Sequence, residues 1–408
     1  MRPLEDARAD VLGAMRRLPT EMVAALVSKG RVTSEPCVAN ESVPPFANSA
    51  MDGFAVRADD VARCPVSLTI NEDVPAGSVP TVAVGVGTAT RIMTGAPMPD
   101  GADAVVKVED TRIDRDGAVT VLTAADRGAN VRPAGGDVSQ GDVVVDAGVR
   151  LTARHAAALA SAGIAPRVST MPVVAVLSTG DEIVEPDASD LGPGKIRDTN
   201  RVLLLSVLRS LGVEAVDLGI VGDDPGALAD MYRRAADTAD VIVSTGGVSM
   251  GDYDYVKQVL GDMGSVDFWR VAMQPAKPFA FGSVNGVPLF GLPGNPVSTF
   301  VAYEQFLRPA LLHMMGATAL LRPRIEAVMG EDIETAPDKE VFVRVMLATD
   351  RGGSFVAVRS GGQGSNVLSA LASADAFAVV PVGVGTLSAG DPVMLEMFTW
   401  DENRALDG

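Results

Sequence analysis

Cysteine and histidine are scarce in this chain. Its 408 residues include two cysteines, Cys37 and Cys64, and two histidines, His155 and His313. The cysteines form no CxxC pattern and no disulfide framework, so we interpret them as small residues in a reducing compartment. Each histidine lies in an apolar helical run, where packing or exposure is commoner than metal binding. A transition-metal site of histidine and cysteine is therefore poorly supported, whereas a hard cation on carboxylates stays open.

Positive charge is also in short supply. The chain has 34 Lys and Arg residues against 52 Asp and Glu, which gives a formal net charge of −18. Because an acidic surface repels nucleic acid and anionic membranes, we expect neither as a partner. An anionic ligand would have to be held by backbone amides and a few well-placed cationic side chains.

The sequence also lacks any apolar run of the length that a membrane span requires. It starts with MRPLEDARADVLGAM, which is acidic and helical rather than typical of a signal peptide. We therefore expect a cytoplasmic protein. The hydrophobic content of 47% and charged content of 21% are those of a folded protein. The length predicts two to four domains.

The pattern of the sequence predicts a multi-domain α/β plus β fold. Residues 46–130 combine short β runs with turns and predict a mainly β module. Residues 169–317 alternate strands and helices, which predicts a three-layer α/β domain with a parallel or mixed central sheet. Residues 318–403 read as the short strands of a small C-terminal β-barrel domain. We assign 1–45 and 131–168 to one discontinuous helical and extended domain.

Helix and turn signals locate several elements within these domains. Apolar residues at helical spacing predict an amphipathic helix over 5–28, interrupted at Pro19. Asp198 or Thr199 is expected to cap one helix of the α/β domain, and Asp224 is expected to cap the next, with proline at its first position. Asn285 and Gly286 predict the turn of a hairpin.

The glycine-rich loop STGGVSMGDYDY, residues 244–255, follows the apolar run ADVIV. In an open parallel sheet, ligands bind beyond the carboxyl ends of the strands, and the loops 178–182 and 222–224 reach the same edge. Gly246 and Gly247 would let backbone amides approach a phosphate or another oxyanion. A simple turn from strand to helix is the equally supported alternative.

Acidic residues accumulate at this predicted edge. A single acid after a strand is usually a helix cap, but several acids beside an anion site are costly without a cation. Mg²⁺ held by carboxylates, waters and substrate phosphates would resolve that conflict. The acids are Asp181, Glu182, Asp223, Asp252 and Asp254.

Lys277 lies between Pro275 and Pro278, which restrict the backbone around it. A lysine fixed in this way suits contact with an oxyanion, and a solvated lysine is the alternative. Asp52 precedes Gly53 in a predicted turn, and by itself it indicates only an Asx turn.

Seven segments, in chain order, carry a family resemblance. They are SAMDGFAV (49–56), IMTGAPMPDGADAVVKVED (92–110), STGDEI (178–183), DTN (198–200), STGGVSMGDYDYV (244–256), QPAKPFAFG (274–282) and LPGNPVS (292–298). Together they resemble the MoeA family of molybdopterin molybdenumtransferases, which includes the E domain of gephyrin. The resemblance covers nearly the whole chain, and it is the combination that is specific.

The resemblance implies a reaction and an assembly. Members of this family take adenylylated molybdopterin and molybdate, insert molybdenum into the pterin dithiolene, and release AMP with Mg²⁺ as cofactor. The implied structure is a four-domain chain in an elongated homodimer. Its cleft would lie between the α/β domain of one subunit and the β module of the other. The upstream adenylyltransferase and molybdoenzymes are implied as protein partners.

The resemblance also implies roles for residues at matching positions. Mg²⁺ and the adenylyl phosphate would be served by Asp52, Asp137, Glu182, Asp223 and Asp254, with the Thr94 hydroxyl nearby; all but Asp137 and Thr94 would be metal ligands. The pterin and its phosphate would be bound by Asp198, Asn200, Thr245, Gly246, Gly247 and Ser249, together with Pro293 and Asn295. Molybdate would lie near Gln274, Lys277, Ser298, Arg344 and Ser369.

Two positions depart from the family pattern. Gln274 stands where many relatives have lysine, and Ala276 stands where glycine is frequent. Glutamine can donate a hydrogen bond but supplies no charge, so we expect an effect on molybdate affinity rather than on the reaction.

Two other functions are considered. One is the preceding adenylyltransferase step, whose enzyme is a single α/β domain; the additional β regions argue against it. The other is a carrier or scaffold without catalysis, which would bind the pterin and release no AMP. The retained acids favour catalysis.

Overall fold

The computed structural model describes residues 1–247 and 255–398. Within these ranges the chain builds three six-stranded sheets and several two-stranded ribbons. One sheet forms the centre of the α/β domain, one forms the β module, and one closes into the C-terminal barrel. Two predicted site residues, Ser249 and Asp254, lie outside the described residues.

The central sheet of the α/β domain is mixed. Its strands lie in the order Glu214–Val221, Val173–Thr179, Val241–Thr245, Val287–Leu292, Pro278–Val284 and Gly264–Arg270. The first four are parallel, and the last two join as antiparallel neighbours. The antiparallel part arises from the predicted hairpin, where Asn285 and Gly286 have φ of 49° and 83°. The predicted alternation of strands and helices is confirmed.

Both faces of this sheet are buried. Val174, Val176 and Val243 pack into one apolar core, whereas Ala175 and Leu177 pack into another on the opposite side. Successive side chains of a strand point to opposite faces, so an unbroken apolar run is what a doubly covered strand requires. The covering helices and helical turns are Thr199–Leu211, Pro225–Thr238, Tyr255–Met263, Pro296–Ala302, Tyr303–Leu307 and Arg308–Met314.

The helices of the α/β domain begin at the predicted caps. The Asp198 carboxylate accepts a hydrogen bond from the Arg201 amide at 3.0 Å, and the Asp224 carboxylate accepts one from the Ala227 amide at 2.8 Å. These bonds satisfy amide groups that have no partner within the helix. The first helix ends at Gly212, whose φ of 89° suits glycine.

The β module folds around its own small core. Its strands are Gly53–Val56, Val66–Val74, Thr88–Ile92, Ala104–Lys107, Thr111–Ile113 and Val119–Val121. Phe54, Leu68 and Val106 are buried at its centre. The alternation of short strands and turns that predicted a mainly β module is therefore present in the structure.

The C-terminal sheet closes into a barrel of five strands. Glu340–Thr349 pairs with both Phe355–Arg359 and Ala376–Val380, and the ring is completed by Arg324–Met329 and Pro392–Met397. Closure leaves no open edge in this ring, as a barrel requires. The predicted barrel is confirmed. A short helix, Leu368–Ala372, lies beside it.

The N-terminal region differs from the predicted helix over 5–28 with an interruption at Pro19. The helix spans Leu4–Ala14, and the chain then runs through an extended Met15 to the strand Thr20–Met22. Pro19 cannot donate a backbone hydrogen bond, and the strand instead pairs with Arg167–Ser169. Met22 is 52% exposed and Leu26 is 90% exposed, so the apolar spacing that suggested a longer amphipathic helix was misleading.

The remaining N-terminal elements are short. A helical turn spans Ala25–Val27, and the helix Ala153–Ser161 is capped by the Thr152 hydroxyl. Two-stranded ribbons join Cys37–Val38 to Val143–Val145 and Asn48–Ser49 to Val131–Arg132. None of the described helices combines the length and the apolar character needed to cross a bilayer.

A buried polar network holds the barrel against the α/β domain. Arg322, in the segment that connects the two, donates to both carboxylate oxygens of Glu304 at 2.9 Å. The Gln305 amide donates to Glu396 of the barrel at 2.7 Å. Glu304 and Gln305 are almost fully buried, at 2% and 0% exposure. The two domains are thus joined by groups that would be costly to leave unpaired.

We expect Glu304→Gln to destabilise the junction between the barrel and the α/β domain. The change removes the counter-charge that faces Arg322 and, at 3.9 Å, Arg308. Breaking one side of a buried pair costs about 3–5 kcal/mol in free energy of unfolding. The matched control is Glu331→Gln, whose partner Arg359 is partly exposed and whose loss should cost less than about 1 kcal/mol. Urea denaturation measures both, and equal losses would contradict the network's role.

Candidate functional site

A cavity of about 1080 Å³ opens between the α/β domain and the barrel. On one side it is lined by Thr179, Thr245 and Pro293, which end or follow parallel strands of the central sheet. On the other side it is lined by barrel residues, including Lys339 and Gln363. Its position beyond the carboxyl ends of parallel strands is where open α/β sheets bind their ligands.

Ten of the residues predicted from the sequence line this cavity. They are Glu182, Asp198, Asn200, Thr245, Gly246, Gln274, Lys277, Pro293, Asn295 and Ser298. Gly247 and Asp223 lie on loops at the same sheet edge but do not line it. Asp52, Thr94, Asp137, Arg344 and Ser369 also lie off its lining.

The glycine pair after strand Val241–Thr245 fits a space that no larger residue could occupy. Gly246 and Gly247 have φ of 93° and 64°, in the region that favours glycine. A Cβ on Gly246 would lie 2.4 Å from the carbonyl oxygen of Thr179. A Cβ on Gly247 would lie 2.3 Å from a methyl group of Val256. The loop therefore brings its backbone close to the neighbouring strand end, at the cavity.

Asn200 joins three elements of the site. Its amide nitrogen donates to the Thr245 hydroxyl and to the Gly294 carbonyl, both at 2.8 Å. Its amide oxygen is buried and accepts no hydrogen bond from the described residues. A buried acceptor without a partner is costly, and Asn200 lines the cavity. The arrangement can accept a hydrogen bond from a ligand N–H group.

Asp198 is occupied within the protein. Its two oxygens accept hydrogen bonds from the backbone and the guanidinium of Arg201, at 3.0 and 2.9 Å. Arg201 also binds Asp217 at 2.6 Å and pairs with Glu185. Burial lowers the pKa of Arg201, but its hydrogen bonds to these carboxylates raise the pKa by more than burial lowers it. The net shift of the Arg201 pKa is therefore upward. Asp198 thus anchors the loop and helix that border the cavity.

The acids at the sheet edge form an open group. Asp181 accepts a hydrogen bond from the Asp223 amide at 3.0 Å, and Glu182 folds back over Gly180. Within residues 1–247 and 255–398, no group of three or more Asp, Glu, His or Cys side chains is placed to enclose a metal ion. A cation here would need ligands from a substrate or from water.

Asp52 and Thr94 form a separate polar pair in the β module. The Asp52 carboxylate accepts hydrogen bonds from the Thr94 amide at 2.7 Å and from its hydroxyl at 2.8 Å. The backbone bond, followed by the hydroxyl bond, lowers the pKa of Asp52. Both residues are exposed, so this ionised carboxylate is available to another molecule. Asp137 is exposed as well.

Arg344 is a buried residue that holds one segment of the cavity wall. The residue is 1% exposed, and its guanidinium donates to the Gly362 and Gly364 carbonyls at 2.8 and 3.1 Å. Burial lowers its pKa. The segment that it holds contributes Gln363 and Ser365 to the cavity, and Ser365 accepts a hydrogen bond from Asn295 at 2.9 Å. Arg344 therefore positions a wall of the cavity.

The barrel contributes residues that the sequence did not single out. Glu334, Thr335, Lys339, Arg359, Gln363 and Ser365 line the cavity beside the residues of the α/β domain. Their sequence signal was weak, because nothing in short β runs indicates which loop faces another domain. The Pro–Asp–Lys turn at 337–339, just before a long apolar strand, was the available clue.

Three family models match successive parts of the chain. Residues 2–163 match the model described as MoeA N-terminal region (domain I and II). Residues 175–313 match the one described as probable molybdopterin binding domain, and 326–398 match MoeA C-terminal region (domain IV). The matches follow the same order as the three sheets.

Relatives match over almost their whole length. The molybdopterin molybdenumtransferase of Haemophilus influenzae is 35% identical over 404 residues, which cover 98% of this chain and 99% of that one. Molybdopterin molybdenumtransferase 2 of Mycobacterium tuberculosis is 36% identical over 413 residues, covering 98% and 100%. A crystal structure of the molybdopterin biosynthesis MoeA protein from Pyrococcus horikoshii has a TM-score of 0.81 at 27% identity, covering 98% and 100%.

We expect Gly246→Ala to destabilise the protein more than Gly212→Ala. Both positions have positive φ, so each substitution should cost about 1–2 kcal/mol through backbone strain. At Gly212 the nearest atom to a new Cβ is 3.7 Å away, whereas at Gly246 the contact with Thr179 adds roughly 1–3 kcal/mol. Denaturant unfolding compares the two variants. Similar costs would show that the Gly246 loop moves freely away from Thr179.

Proposed function

This chain belongs to the MoeA family, the molybdopterin molybdenumtransferases, and we propose how it inserts molybdenum into molybdopterin. The molybdenum comes from molybdate and enters the adenylylated pterin, and AMP is released. The observation that carries the proposal is the cavity between the α/β domain and the barrel. Its volume, about 1080 Å³, is that of a site for a large ligand. It combines a glycine loop, an unpartnered amide oxygen and lysine side chains on one surface.

Each of these features suits one part of the proposed substrates. The Asn200 oxygen can accept from an N–H group of the pterin, which would satisfy a buried acceptor. Thr245 and Gly246 line the cavity, and their loop would contact the phosphate of the substrate. Pro293 and Asn295 border the same space. We assign the pterin and its phosphate to this side.

Lys277, Gln274 and Ser298 would hold molybdate. Lys277 lines the cavity, and no described carboxylate lies within ion-pair distance of its ammonium group. A free ammonium can bind an oxyanion without first breaking another pair. Exchange of molybdate oxygens for the pterin thiolates needs no protein nucleophile. The contribution of these residues is then to position the substrates and to balance charge.

We propose Mg²⁺ as the cofactor. Mg²⁺ is commonly held by one or two carboxylates together with waters and substrate phosphates, so the open group of Glu182, Asp181 and Asp223 fits it. When bound, Mg²⁺ would polarise the phosphoanhydride and stabilise charge on the departing AMP. Glu182 would orient the phosphate end of the substrate. Asp254, outside the described residues, stays a proposed ligand.

We propose that two subunits complete one site. Asp52 and Thr94 do not line the cavity of their own chain, and the ionised Asp52 carboxylate is exposed. A second subunit could bring this pair, and Asp137, to the acidic side of the cavity. A C2 dimer would then form two equivalent composite sites.

The reaction is tested by incubating the purified chain with adenylylated molybdopterin and Mg²⁺, with and without molybdate. Molybdate-dependent release of AMP, with metal appearing on the pterin, is the expected result. Tight binding without AMP release would replace the proposal with a carrier or scaffold. Formation of adenylylated pterin from ATP and molybdopterin would indicate the preceding step instead.

We expect Lys277→Ala to raise the molybdate concentration that gives half-maximal product. Loss of one charge-assisted contact is worth about 1.5–3 kcal/mol, which corresponds to roughly tenfold or more in that concentration. Lys29→Ala is the matched control, since Lys29 is exposed and does not line the cavity. An unaltered molybdate dependence in Lys277→Ala would remove this residue from the molybdate site.

We expect Asp52→Ala and Glu182→Ala to be inactive alone and to complement each other when their subunits are mixed. In a random mixture about half of the C2 dimers are heterodimers, and each keeps one intact site, so about a quarter of the wild-type rate should return. Mixing Asp52→Ala with Asp52→Asn is the control and should restore nothing. Absence of complementation, with subunit exchange verified, would place both carboxylates in the same chain's site.

A further inference from the structure

We propose that Lys339 is a second cationic contact for the oxyanion substrate and acts with Lys277 across the boundary between the barrel and the α/β domain. Lys339 lines the cavity from the barrel side, and Lys277 lines it from the α/β side. The inference rests on the proposed function, because it identifies the oxyanion as molybdate. It adds a ligand that the family resemblance did not indicate.

The position of Lys339 is set by backbone pairing between the domains. Its amide donates to the Ala336 carbonyl at 3.2 Å, which closes a turn. The next residue, Glu340, donates to the Ala272 carbonyl at 3.0 Å, and the pair Gln274 and Val341 continues the same ladder. The Lys339 ammonium consequently lies 3.5 Å from the side-chain oxygen of Gln274. This ammonium occupies the space beside a neutral residue of the proposed molybdate site.

The other cationic side chains of the cavity are already engaged. Arg197 donates to the Pro186 and Ala188 carbonyls at 2.8 and 2.7 Å, and Arg359 binds Glu331 at 2.9 Å. Lys339 has weaker commitments, because its contact with Gln274 is long and Asp338 is 3.8 Å away and 59% exposed. Among the described residues that line the cavity, Lys277 and Lys339 are thus the cations that can turn to a ligand.

A dianion benefits from two ammonium groups on opposite sides. One lysine balances half of the charge of a tetrahedral dianion, and the cavity also contains the carboxylates of Glu182 and Glu334, which repel it. The Lys339 side chain is 19% exposed, so its charge is partly shielded from bulk water and acts more strongly than on an open surface. Gln274 can donate a hydrogen bond while Lys339 supplies the charge that glutamine lacks.

The test is calorimetric titration of the full chain with sodium molybdate. Lys339→Gln should raise the molybdate Kd by about tenfold or more, as the loss of a charge-assisted contact does. Lys29→Gln removes the same charge outside the cavity and should leave Kd unchanged. Adding Gln274→Lys to Lys339→Gln should restore most of the affinity, because the new ammonium group would lie beside the lost one.

The outcomes separate the two proposals. A wild-type chain that binds no molybdate would overturn the proposed function and this inference together. Wild-type binding with the same Kd in Lys339→Gln would overturn the inference alone. Weaker binding in Lys339→Gln that Gln274→Lys does not restore would show that Lys339 acts by shaping the turn, and it would also overturn the role in charge. Tighter molybdate binding when Gln274→Lys is added to Lys339→Gln, compared with Lys339→Gln alone, establishes the role of the Lys339 charge.

Discussion

The parallel pairing of Met273–Gln274 with residues 340–341 is the contact on which the cavity depends. It makes a two-residue piece of the α/β domain an extra strand of the barrel sheet. The buried carboxylates of Glu304 and Glu396, with the partly buried Arg322, stabilise the same junction. Because a strand pairing defines register as well as distance, it also determines which side chains face each other across the opening. The site is therefore a property of the junction rather than of either domain.

Charge is distributed across that junction in a way the overall composition conceals. The chain carries a net charge of −18, and its acids gather at the strand ends around Glu182 and Asp223. The lysines that line the cavity come from both domains, Lys277 from the α/β domain and Lys339 from the barrel. Such an arrangement suits a substrate pair with a cation-bound phosphate at one end and an oxyanion at the other. The phosphate end and the oxyanion end of such a substrate pair need different electrostatic environments, and one broad cavity can supply both.

Local signals were predicted well and contacts between distant segments were not. The caps at Asp198 and Asp224 and the turn at Asn285 depend on a few adjacent residues, so the sequence reveals them directly. The end of the first helix at Ala14 depends on a strand pairing with residues 167–169, about 150 positions away, and the apolar spacing was misleading. Ten of the residues predicted from the sequence and its family resemblance line one cavity. It did not indicate Lys339, whose relevance comes from a ladder joining positions 274 and 341.

Lys277 and Lys339 differ in the part of the structure that carries them. Lys277 follows Ala276, which is 2% exposed and has φ of 73°, a conformation that costs a residue with a Cβ about 1–2 kcal/mol relative to its usual backbone. Such strain persists only where the surrounding packing over-determines the backbone, and Ala276 is part of the main apolar core. Lys277 is thus carried by a stiff loop of the α/β domain, whereas Lys339 is carried by the barrel. Any separation of the two domains would leave Lys277 on the α/β domain and withdraw Lys339 with the barrel. An oxyanion held by both lysines, as we propose for molybdate, would therefore bind most tightly when the junction is closed, and its affinity would then be linked to domain docking through the same strand pairing.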